Sequence, residues 1–170
     1  MKEPNFDEIY IVGFRLHYES ETPEFYTIIV DEESEAPVTH DGSILFVTDI
    51  KKAELIYSYL DRVTKDKFAM PTKMEKGIDV AKALYLLENE ERDDASIILD
   101  FLNIIFDLLN SIEIIIPNDK REILYGLADY LTFEDDFSTY LDKSSINRLA
   151  LIDIIIWCVG KLVTRSRVLF

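Results

Sequence analysis

The sequence predicts an α+β protein, with an N-terminal antiparallel meander of three to four strands followed by a lobe of four to five helices. Three observations carry this. Apolar residues alternate with period two as far as Thr48, and from Asp49 onward they recur at steps of three and four. Only five Gly and five Pro punctuate 170 residues, which implies long regular elements with short connections. With 48% hydrophobic and 30% charged residues, the chain can bury a sizeable core. It reads as a single domain over 1–170, in which 1–63 form the sheet plus a first helix and 78–170 form the helical lobe.

Each element has its own signal. Tyr10, Val12, Phe14, Leu16 and Tyr18 point one way, and Gly13, Arg15, His17 and Glu19 the other, as in a half-buried strand of about ten residues. After Pro23, the run Phe25, Tyr26, Thr27, Ile28, Ile29, Val30 is dense in β-formers. The acidic stretch from Asp31 to Glu35 reads as a loop. Pro37 to His40 forms a short strand, because Asp41-Gly42 is a strong hairpin turn before the core strand from Ser43 to Thr48.

Asp49 then caps a helix with the stripe Ala53, Ile56, Tyr57, Leu60, Val63. Residues 64–77, with Pro71 and Gly77, read as a linker. Helical patterns follow over 78–87, 94–112, 119–131 and 145–164, with one or two helical turns over 133–141. Asn118 or Asp119 is the expected cap of the third pattern, and Ser144 or Ser145 of the last.

Charge is unevenly spread. Residues 1–50 hold two cations against twelve acids, while residues 51–100 hold nine against eleven and residues 101–170 seven against ten, for a total of −15. Such a balance disfavours nucleic acid and anionic lipid and favours a basic protein partner. The candidate partner-binding residues are Tyr18, Glu19, Glu21, Glu24 and Tyr26 around the first turn, with Asp31, Glu32, Glu33 and Glu35 in the next loop. Carboxylates steer a basic partner, and tyrosines anchor it.

Other features carry less chemistry. In the acidic run that holds Glu88, Glu90, Glu91 and Asp94, the Glu90-Glu91-x-x-Asp94 spacing is similar to that of the carboxylates that hold Mg²⁺ in all-α nucleoside-triphosphate pyrophosphohydrolases. It gives an alternative reading as a Mg²⁺-dependent nucleotide hydrolase, with Asp100 and Asp107, or Glu134, Asp135 and Asp136, as a second pair. The same acids also suit a helix N-terminus. Asp100, Asn103, Asp107 and Asn110 share one helix face, as a solvated edge or as a buried seam paired to Arg121 or Arg148. Asp153, inside an apolar run, poses the same choice.

His17 and His40 lack any metal-ligand spacing, and no nucleophile elbow, phosphate loop or dinucleotide fingerprint occurs. No cofactor and no catalytic residue are therefore expected. The lone Cys158 reads as inert packing. Lys161, Arg165 and Arg167 complement the dipole of the last helix. The apolar run 149–159 is too short to span a bilayer, and the start of the chain lacks an apolar leader, so a cytoplasmic location is expected.

Acidic, tyrosine-rich, motif-free and of modest size, the chain resembles the immunity proteins of bacterial toxin systems, those of contact-dependent growth inhibition in particular. The resemblance implies a stoichiometric inhibitor that binds and occludes a basic cognate toxin domain, often a nuclease, rather than an enzyme.

Overall fold

The period-two stretch folds as strands β1 (Glu8–Arg15) and β2 (Phe25–Asp31), an antiparallel pair in which Glu8 faces Asp31 and Phe14 faces Phe25. In this computed structural model, residues 7–89, 95–134 and 136–170 are described. Two compact units emerge, residues 1–78 with 165–170, and residues 79–164.

In the first unit, β3 (Glu35–Pro37) pairs with β2, and β4 (Thr39–His40) and β5 (Ser43–Val47) form a hairpin. Asp41 (φ 50°) and Gly42 (φ 71°) are both left-handed, as a two-residue type I′ turn requires. A 3₁₀ turn (Ile50–Lys52), capped by Asp49 through the Lys51 N–H, leads into α1 (Ala53–Tyr57). Asp61 caps α2 (Arg62–Lys67) by accepting from Thr64 N–H at 2.8 Å. Then come β6 (Met74–Asp79), beside β1, and β7 (Ser166–Leu169), parallel to β5.

The sheet is therefore a mixed one of seven strands, not the antiparallel meander of three or four that the N-terminal pattern predicts. Residues 64–77, expected as a linker, hold the end of α2 and most of β6. The basic tail, expected only to follow the last helix, supplies β7.

One sheet face packs on α1. Ile11, Ile28, Val38, Leu45, Val47, Ala53 and Ile56 form its buried core. Burying each large aliphatic side chain contributes about 1.5–3 kcal/mol. The other face is buried as well, at Tyr10, Val12, Phe14, Ile29 and Ile44, so β1 is not the half-exposed strand its alternation suggests. The edge-to-face pair Phe14–Phe46, with centroids 5.8 Å apart, lies there. Gly13 is the close-approach point of β1: a Cβ would sit 2.5 Å from Met74 Sδ and 2.8 Å from Pro23 Cγ.

The second unit comprises α3 (Val80–Asn89), α4 (Ala95–Ser111), α5 (Asn118–Phe133), α6 (Phe137–Ser144) and α7 (Arg148–Thr164). The apolar α4 packs against α3, α5 and α7. Asp79 caps α3 through the Lys82 N–H, and Asp136 caps α6 through the Thr139 N–H. Two expected caps lie elsewhere. Pro117 holds the cap position of α5, in place of Asn118 or Asp119. Asn147 caps α7, accepting from Leu149 N–H at 2.8 Å, because Ser145 takes a left-handed conformation (φ 54°) to end α6.

Candidate functional site

The nine candidate partner-binding residues fall into two groups, at opposite ends of the β1–β2 pair. Tyr18, Glu19, Glu21 and Glu24 lie in the turn of residues 16–24, with Tyr26 just beyond it. Asp31, Glu32, Glu33 and Glu35 lie where β2 turns into β3. Six strand steps separate Phe25 from Asp31, about 20 Å. The register thus does not bring them together as one patch.

The turn end is built around its own side chains. Glu24 accepts from the backbone N–H groups of Leu16 (2.6 Å) and His17 (3.0 Å), and its other oxygen meets the His17 ring. These donors, the His17 ring first, hold its carboxyl down at about 2. Glu24 is a turn clamp, which is why the chain leaves the sheet after Arg15 instead of continuing to Tyr18. The Arg15 guanidinium donates to the carbonyl of Ser20 (2.9 Å) and lies over the Tyr18 ring. Tyr26 is half-buried against the core of the first unit. Glu19 and Glu21 are exposed.

The other end concentrates charge. Glu8 pairs with Asp31, and Asp31 pairs with Glu35, so three carboxylates stand in one row across three strands on one sheet face. The Tyr10 hydroxyl, two residues along the same face, donates to Glu35. Burial foremost, then the neighbouring carboxylates, pushes its pKa well above the ordinary phenol range. On the next residues along, Lys67 of α2 bridges Asp7 (2.6 Å) and Glu32 (3.0 Å), which raises its ammonium pKa. Glu33 and Glu32 are exposed in the turn. Asp7, Glu8 and Lys67 are neighbours of this cluster that the sequence pattern does not single out; the signal for Glu8 is the hairpin register, which the turn chemistry alone leaves open.

Folding also redistributes the charge. The sheet unit, with the cations of residues 51–76 and the basic tail, holds eleven cations against sixteen acids, a net of −5. The helical unit holds seven against seventeen, a net of −10. The concentration of charge in residues 1–50 is thus partly offset within its own unit, and what remains is local: the carboxylate row.

Of the carboxylates with metal-site spacing, Glu90, Glu91, Asp94 and Asp135 lie outside the described residues. Glu88 is exposed near the end of α3, and its backbone carbonyl accepts from Arg148 at 3.1 Å. Among the described residues no group of three His, Cys, Asp or Glu could hold a metal ion. Asp100, Asn103 and Asn110 are exposed and Asp107 is half-buried, so this face is the solvated edge, and the exposed Asp153 needs no buried partner. His40 meets Asp41 at 3.2 Å and packs against Tyr59 with the two rings tilted, at a turn. Cys158 is fully buried, and burial pushes its thiol up to about 11.

No protein-family model, no curated protein and no solved structure matches the chain. Among the described residues, no helix is long and apolar enough to cross a membrane. The class defined by the fold is α+β, a mixed sheet followed by five helices.

Proposed function

We propose that the protein acts by stoichiometric binding of a basic protein partner, as an inhibitor of the immunity-protein kind that occludes a cationic toxin domain such as a nuclease. One observation carries this reading: the cross-strand row Glu8–Asp31–Glu35. Like charges placed directly opposite one another across strands oppose folding. A surface of lysines and arginines laid against the row would convert those repulsions into attractions, at the place where such a partner would otherwise hold phosphates. Glu32 and Glu33 extend the row outward and would steer the encounter. Glu19 and Glu21, at the far end of the hairpin, are a secondary contact at most, and Glu24 is committed to its turn.

Capture from the source cells at low salt, with the full chain as bait and a salt gradient for elution, tests the proposal. The expected result is a basic polypeptide recovered one-to-one and released by salt. The triple reversal E8K/D31K/E35K should abolish capture while circular dichroism stays unchanged, and E19K/E21K should retain it. Undiminished capture by the triple variant would refute the row as the interface.

A further inference from the structure

We propose that the cleft between the end of α4 and the first turns of α5 binds a free α-amino acid with an apolar side chain, held as its zwitterion. The cleft has a volume of about 320 Å³ and is lined only by residues of the helical unit, so the inference is independent of the acidic row. That volume lies at the small end of the range for ligand sites and suits one small molecule.

The charges choose the ligand. Arg121 and Glu113 both line the cleft, and neither has an ion-pair partner among the described residues. Asp119 and Lys120, in the same first turn of α5, meet each other instead, at 3.7 Å. A cation and an anion that share a cleft without closing on one another complement a molecule carrying both signs on one carbon, as the ammonium and carboxylate of an α-amino acid do.

Each charged group is held in place locally. The Arg121 guanidinium donates from Nη2 to Asn118 Oδ1 at 2.8 Å, which restrains its plane and uses one of its five donors, leaving a fork for a carboxylate. Glu113 stands where α4 ends. Its N–H donates to the Asn110 carbonyl and the Ile114 N–H to the Leu109 carbonyl, both at 3.0 Å, with Glu113 left-handed at φ 57°. This is the Schellman arrangement, whose left-handed position glycine fills without steric cost and a longer side chain does not. Glutamate there weakens the helix end, and what it adds is a carboxylate at the cleft.

The remaining lining is apolar. Ile115 is 83% exposed and Tyr125 40%, while Ile116 is buried. The Tyr125 ring is fixed edge-to-face on Phe106, with centroids 4.6 Å apart. An aliphatic side chain seated between Ile115 and Tyr125 would remove apolar surface of both from water.

Calorimetric titration of the full chain with L-leucine tests the proposal. One-to-one binding is expected, with a Kd between about 10 μM and about 1 mM. N-acetylleucine, which lacks the ammonium, and leucinamide, which lacks the carboxylate, should each bind about tenfold more weakly, and glycine should bind more weakly as well. Arg121→Gln should bind leucine and leucinamide equally, whereas Glu113→Gln should bind leucine and N-acetylleucine equally. That matching of each variant to one blocked ligand is a readout that a merely structural role would not move. Glu113→Gly should raise the urea midpoint while weakening leucine binding about tenfold. Absence of binding at about 10 mM leucine overturns the proposal. So does undiminished binding of either blocked form, which would make this a site for a peptide end, and so do Arg121→Gln and Glu113→Gln variants that weaken all three ligands alike.

Discussion

Replacing Asp31 by Asn removes one charge from the middle of the Glu8–Asp31–Glu35 row without changing side-chain shape. Asp31 is the only member with a carboxylate on both sides. Directly opposed like charges cost on the order of 0.2–1 kcal/mol per pair, and two pairs are relieved at once, so the expected stabilisation is about 1 kcal/mol. Coulomb's law at about 5 Å in a water-like dielectric gives the same order for each pair. The gain should be read as a shift in the urea midpoint at low ionic strength, with an unchanged slope. It should vanish near 1 M salt, where the screening length of about 3 Å is shorter than the spacing between strands. The same substitution should weaken capture of a basic partner, so stability and binding move in opposite directions. A loss of stability, or a gain that salt leaves intact, would refute the repulsive row.

Three further outcomes follow from the geometry. Glu24 has a folded-state pKa of about 2, below its unfolded value, so its stabilising contribution is present above about pH 4.5 and is lost as pH falls through 2. Melting temperatures of wild type and Glu24→Gln should therefore differ at pH 6 and converge towards pH 2. Gly13→Ala pushes a methyl into Met74, which can swing aside, and into the Pro23 ring, which cannot; a cost of about 1–3 kcal/mol in denaturant unfolding is expected. Cys158, buried and with its thiol pushed up to about 11, should react with a thiol reagent at pH 8 only after the helical unit opens, and reaction of the native chain within seconds would contradict its burial.

The helices were legible because their periodicity is local: the patterns over 94–112, 119–131 and 145–164 correspond to α4, α5 and α7 within a few residues. The Asp41-Gly42 turn was legible for the same reason, since two adjacent residues specify it. What escaped depends on contacts far apart in sequence. Met74–Asp79 and Ser166–Leu169 are too short and mixed to announce themselves as strands, and become so only beside β1 and β5. The acidic residues were legible as a composition, yet not as a row. That Glu8 stands opposite Asp31 follows from a nine-residue turn, which Glu24 holds by side-chain hydrogen bonds that no turn motif encodes.

The parallel pairing of β7 with β5 has a consequence for how the protein is made. Ile44 meets Ser166, and Val47 meets Leu169, each across 122 positions of chain. During synthesis, at about 5–20 residues per second, the outer edge of β5 therefore stands open for several seconds after its own hairpin has left the ribosome. The helices can form in order as they emerge, but the β5 edge cannot be covered until Ser166–Leu169 have been made. An unpaired strand edge in that interval is a template for pairing with another nascent chain. Deletion of Ser166–Leu169 should accordingly harm yield and solubility more than its small share of the fold suggests.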